Sequence, residues 1–159
     1  MLSSHGGRKP SVDASAWIAP NAILRGAVTV GPGCRIMYGA QVVAESGSIA
    51  LGREWIIMGN AVLRSSERHP LRIGNHCLVG PNAHVFGSTI EDEVFIATGA
   101  AVFHSSHLGK GSEVRINTVV HLRTHLLPGA TVPIGWVAVG VRTWVLSSSG
   151  EHRLVTALY

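Results

Sequence analysis

An all-β solenoid is the fold class this sequence predicts, on three observations. An aliphatic residue recurs every six positions over most of the 159-residue chain. Four residues after each one the side chain is usually small, and glycine often follows it directly, as at Gly31, Gly52, Gly74, Gly80 and Gly109. Period six is neither the 3.6 of a helix nor the alternation of a long strand. It fits a three-sided coil with about six residues per face, and hexapeptide repeats are a sequence signature of parallel β-helices. The fold expected is therefore a left-handed parallel β-helix, a tube whose stacked coils expose strand edges only at its ends.

The elements follow in order. Weak copies at Val12 and Ile18 open the pattern. Val30, Ile36 and Val42 form the first clear run, then Leu51, Ile57 and Leu63, then Ile73, Val79 and Val85. Ile90, Ile96 and Val102 continue it, and Leu108, Val114, Val120 and Leu126 end it. The step is irregular between runs, as at Ser65–Arg72, so each break is expected to hold a loop. The small positions read Cys34, Ala40, Ser46, Ala61, Cys77, Ala83, Thr89, Ala100, Ser106, Ser112, Thr118 and Thr124, with Trp55, Val94 and Glu67 as exceptions. Cys34 and Cys77 thereby read as inward-facing packing residues, since an unpaired Cys behaves as a small hydrophobe. After Leu127 the character changes. Pro128 and Pro133 break the pattern, Trp136 and Trp144 fall outside it, and Gly150–Tyr159 reads as a short helix. The organisation expected is a flexible N-terminal segment over 1–10, the β-helix over 11–135, and a tail over 136–159 packing on the tube.

Composition narrows the function classes. The chain is 46% hydrophobic and 14% charged, which excludes a disordered polyelectrolyte. Net charge is +4, but the eleven arginines are scattered with no basic stripe, so nucleic acid is not an expected partner. No apolar run reaches the roughly 18 residues that span a membrane. The first ten residues lack the apolar stretch of a secretory signal, and two distant cysteines make no disulfide framework. A cytoplasmic protein without a membrane partner is the expectation.

The ordered hexapeptides, the loop before His69-Pro70 and the run from Ile73 to Val102 (IGNHCLVGPNAHVFGSTIEDEVFIATGAAV) resemble the γ-class carbonic anhydrase-like family. The resemblance covers about residues 10–140. It implies a homotrimer of left-handed β-helices with zinc held by three histidines between subunits. At the matching positions this chain carries Arg64, Pro81 and Phe86. The family's Arg-Gly-Asp segment falls on Val43-Ala44-Glu45, so only the acidic charge is kept, and its Gln-Asp or Gln-Asn pair falls on Met58-Gly59-Asn60. Zinc needs imidazole, thiolate or carboxylate donors, usually three in a catalytic site. Proline and phenylalanine offer none, and the Arg64 guanidinium is a permanent cation. The expectation is a family frame without its zinc and without carbonic anhydrase activity.

Stacking puts Val43, Arg64, Phe86, Phe103 and His121 in one outward column past the inferred subunit interface. Arg64, Phe86, Phe103 and His121 are the candidate ligand-binding residues. Either the aromatics fill the vacated metal space while Arg64 pairs with an acid of a neighbouring subunit, or the column binds a small organic anion. His84 and His104 are the candidate catalytic residues of a rival reading, a hexapeptide acyltransferase in which histidine serves as general base toward an acyl-CoA substrate. A second rival is a relocated metal site using His84, His104 or His121.

Overall fold

The computed structural model describes residues 1–140 and the strand backbones at Trp144–Leu146 and His152–Leu154. It is an all-β, left-handed parallel solenoid of about eight turns with three sheets. The second sheet runs from Ser11–Val12 through Val28–Val30, Ile49–Leu51, Leu71–Ile73 and Thr89–Ile90 to His125–Leu126. The third runs from Trp17–Ile18 to Thr131–Val132. The first carries the strands that matter most below: Gln41–Ala44, Val62–Ser65, His84–Phe86, Ala101–Val102 and Val119–Val120. In its regular part each strand pairs with one a full coil away, Ala101 with Val119 and Val119 with Val137.

The six-residue period exists because each short strand sends one aliphatic side chain inward and the chain then turns. Leu24, Val42, Leu63, Val85, Val102 and Val120 stack behind the first sheet, and equivalent aliphatic columns stand behind the other two. All belong to one continuous core. The small inward residue before each strand lets the backbone round the corner. Cys34 and Cys77 hold two such positions, 0% and 3% exposed, and burial pushes both thiols above their ordinary pKa. Trp55 stands in the layer between them, its neighbouring strand pairing with those that follow Cys34 and Cys77. Its indole is 1% exposed and donates a hydrogen bond to the Gly52 carbonyl at 3.2 Å. One bulky corner residue is thus accommodated because the residues above and below it are small. Gly52 lies in a similar stack: a Cβ there would approach the Gly74 carbonyl oxygen to 2.4 Å.

Several details differ from the expectation, each for a local reason. Ser46 is exposed in the loop after Gln41–Ala44, where its hydroxyl accepts the Glu67 amide at 3.2 Å. Thr89 faces outward and Ser88 takes the inward place at 2% exposure, because the step from Val85 to Ile90 is one residue short. The first ten residues carry a strand, Leu2–Ser3, paired with Ile23–Arg25. Nor does the tube stop at residue 135. Val137–Val139 adds a further strand on Val119–Val120, and Trp136 keeps the coil register, its carbonyl accepting the Val119 amide at 2.9 Å. Pro133 is tolerated there because it sits in a turn, where its missing N–H breaks no ladder bond. In the tail, His152–Leu154 is a strand antiparallel to Trp144–Leu146, not helix. The open edge of the last coil offers unpaired backbone groups, which favour strand addition. The rest of Gly150–Tyr159 lies outside the described residues.

Removing the Trp55 indole leaves a cavity that two small neighbours do not fill. Trp55→Ala is expected to cost about 3–5 kcal/mol, read as a lower urea midpoint at unchanged slope.

Candidate functional site

The irregular steps in the sequence all fall at one corner of the tube, between the first and second sheets. Ser4–Pro10, Glu45–Ser48 and Ser66–Pro70 leave the coil there. Above Ser66–Pro70 the corner is tight again, so that loop overhangs the coils that follow.

On the outer face of the first sheet the expected column is present. Arg64 pairs in register with Val43 on one side and Phe86 on the other. Val85 pairs with Val102 and Val102 with Val120, which sets Phe103 and His121 next in line. Arg64, His84, Phe86 and Phe103 line a groove of about 430 Å³, together with Val62 and Ala101. Phe103 is 44% exposed. Arg64 takes its acidic partner from its own chain: the guanidinium is ion-paired with Glu45. Glu45 follows Gln41–Ala44, and the pairing of Ser65 with Ala44 brings the two side chains together. His121 does not line the groove.

The two candidate catalytic histidines do not share a cavity. His84 faces the groove, whereas His104 lies round the corner beneath the loop. Its ring stacks on His69, centroids 4.2 Å apart and planes at 26°, and stands nearly perpendicular to Phe86, centroids 5.8 Å apart. The His104 Nδ1 atom is buried without a hydrogen-bond partner. Loss of water holds the His104 pKa below its ordinary value, and the nearby positive charges of His69, Arg123 and His121 add to this. A base kept neutral near pH 7 results. The Ser105 hydroxyl and His69 Nδ1 lie 3.1 Å apart. His69 reaches this coil by crossing over Gly87, where a Cβ would meet the His69 Cβ at 2.4 Å and its carbonyl oxygen at 2.6 Å. Gly87 also has φ +40. Further round the corner, His107 Nε2 is 2.7 Å from Glu91, and its ring lies 4.9 Å from that of His125.

His69 and Ser105 were not among the candidates read from the sequence. The signal lay in their separation of 36 residues, two coils of the solenoid, but only the direction of the loop shows that it climbs. Among the described residues, no group of three or more His, Cys, Asp or Glu side chains is arranged to hold a metal ion. Nor is any helix there long and apolar enough to cross a membrane.

The hexapeptide-repeat solenoid defines the class of fold, a left-handed β-helix, and in sequence the chain is similar to proteins named gamma carbonic anhydrases. In sequence, the chain is 36% identical over 99 residues to the Arabidopsis thaliana protein named Gamma carbonic anhydrase 3, mitochondrial, covering 58% of this chain and 38% of that protein. It is 30% identical over 128 residues to Gamma carbonic anhydrase 1, mitochondrial, of the same plant, covering 77% of this chain and 46% of that one. The chain thus spans less than half the length of these two relatives. No family model matches it. Among solved structures, a hexapeptide transferase family protein from Anaplasma phagocytophilum superposes with a TM-score of 0.67 at 24% identity, covering 99% of this chain and 86% of that one. That likeness carries the fold.

Two outcomes are expected here. Gly87→Ala imposes a left-handed backbone costing about 1–2 kcal/mol on a residue with a Cβ and pushes the loop off the corner. A lower urea midpoint should accompany loss of the ring-stacking shift of the His69 proton resonances. The second concerns pH. The His104 pKa lies below that of the unfolded chain, so the unfolded state binds this proton first and the native state loses stability on acidification. Its contribution is present above about pH 6.5 and fades as pH falls through that value toward the lower native pKa. The loss of Tm on acidification should be steeper in the wild type than in His104→Phe.

Proposed function

We propose that this chain is a homotrimeric γ carbonic anhydrase-like protein without the family's zinc chemistry, and that its first-sheet groove, at the subunit interface, binds a small organic anion. The observation that carries the reading is the pairing of one guanidinium with two phenylalanines along a single groove. Phe86, Phe103, Val62 and Ala101 supply an apolar wall, and Arg64 supplies a fork suited to a carboxylate. Its bond to Glu45 is no obstacle. Both side chains are about half exposed, and such pairs are worth about 0–1 kcal/mol, so an incoming carboxylate can take over the guanidinium at little cost.

The zinc implied by the resemblance does not fit these side chains. Arg64 repels a cation, Pro81 and Phe86 donate nothing, and His84 is the one groove residue with a ligating nitrogen. A catalytic zinc takes three protein ligands, and without it no water is brought to a pKa near 7 for CO2 hydration. We keep the cytoplasm as the compartment, in line with two unpaired thiols, although the names of the two plant relatives place those proteins in mitochondria.

A second reading, an acyltransferase with acyl-CoA as donor, draws support from the neutral His104. A base of that kind can take a proton from an acceptor hydroxyl or amine.

Tag-free protein should elute with a mass near three times the 16.8 kDa chain. It should hold no stoichiometric metal and hydrate CO2 no faster than buffer. Benzoate should raise its Tm, and Arg64→Ala should abolish that rise. About one metal per chain, lost in His84→Ala, His104→Ala or His121→Ala, would overturn the metal-free reading in favour of a relocated site. A Tm rise with acetyl-CoA, and none with benzoate, would favour the transferase.

A further inference from the structure

The overhang of Ser66–Pro70 creates a second cavity, separate from the groove. It holds about 240 Å³ at the corner of the first and second sheets. Arg68, His69, Thr89, Ser105, His107 and His125 line it. Each carries a group able to donate a hydrogen bond, and no carboxylate is among the lining residues. Glu91 is engaged by its own neighbours: one oxygen meets His107 at 2.7 Å, and the other accepts the Lys110 amide at 2.7 Å. Glu67 precedes Arg68 in the exposed loop but is not among the lining residues. Arg68, at the exposed tip of the loop, has no ion-pair partner among the described residues.

The charge around the cavity is concentrated by the winding. Arg72 pairs in register with Thr89 on the adjoining strand. Arg123 lies close enough to His104 for its charge to act on that ring. Arginines scattered along the chain are thus gathered at one corner, where neighbouring positive charges raise the local concentration of anions.

The donor geometry selects among anions. A carboxylate presents two oxygens in a plane and is suited to one guanidinium. A phosphoryl group presents three oxygens in three directions, and it is the anion that a guanidinium, hydroxyls and imidazole N–H groups satisfy together. We propose that this cavity binds the phosphoryl group of a small phosphate-bearing ligand, with Arg68 as its principal charged contact and Ser105 and Thr89 as hydroxyl donors. The volume leaves room for a short organic portion beside the phosphate. The inference does not depend on the groove, whose apolar walls suit a different ligand.

Isothermal titration calorimetry on the full chain at low ionic strength tests it, with inorganic phosphate and glycerol 3-phosphate as probes. One saturable site per chain is expected. Arg68→Ala should weaken binding about tenfold or more, as expected for loss of a charge-assisted contact. Arg68→Lys should fall between it and the wild type, because the charge stays and the fork is lost. Arg35→Ala, an equal change of net charge on the third sheet, should leave binding unchanged. Tighter binding of glycerol 3-phosphate would identify a phosphate ester as the ligand; equal binding would identify free phosphate. Absence of saturable heat with both probes would overturn the proposal, as would an equal loss in Arg35→Ala and Arg68→Ala. Arg68 is exposed, so its variants should keep the wild-type Tm, and benzoate should still stabilise them through the groove.

Discussion

Each coil must offer the next one the same triangular cross-section. Parallel ladders join strand to strand along three faces, and each inward aliphatic residue rests on its counterpart one coil away. A residue added within a face would turn every later side chain of that face inside out. Extra residues can therefore leave the tube only at corners. In this chain they leave at the corner between the first and second sheets, and the candidate surfaces follow from that restriction. The regular faces supply the flat groove, and the corner supplies the overhanging loop and the cavity beneath it.

The two surfaces meet at Phe86, whose ring helps to wall the groove and also packs perpendicular to His104. Their chemistries differ because their backbones differ. On the face, side chains stand in columns fixed by strand pairing, so Arg64 lies between Val43 and Phe86 whatever the loops do. At the corner, the side chains come from different coils and depend on Gly87 for their approach. Substitutions on the face should change the lining of the groove and leave its frame in place. Substitutions at the corner should change whether the parts come together at all.

Much of this was legible in the sequence, and the reasons are specific. Val30, Ile36, Val42 and their successors gave both the period and the inward positions, because a solenoid repeats one local solution. The column from Val43 to His121 could be read off directly, since stacking turns sequence spacing into spatial order. The single missing residue between Val85 and Ile90 hid the exchange of Ser88 for Thr89, a local change that a mean period smooths over. His69 was legible as a loop residue and no more. A loop's direction is set by what it rests on, here the bare backbone of Gly87 and the ring of His104. The intrachain pairing of Arg64 with Glu45 was not legible because the coil containing Glu45 is longer than eighteen residues, which displaces that acid from the simple column.

The antiparallel strands at Trp144–Leu146 and His152–Leu154 have a bearing on polymer behaviour. A solenoid with a bare parallel strand at its end is a template on which another solenoid can continue the same ladder, and repetition of that step makes a fibre. In the first sheet the described strands after Val137–Val139 run with reversed polarity, a pattern that differs from the one a parallel coil presents. At these strands the reversal replaces the parallel ladder of this sheet with an antiparallel one.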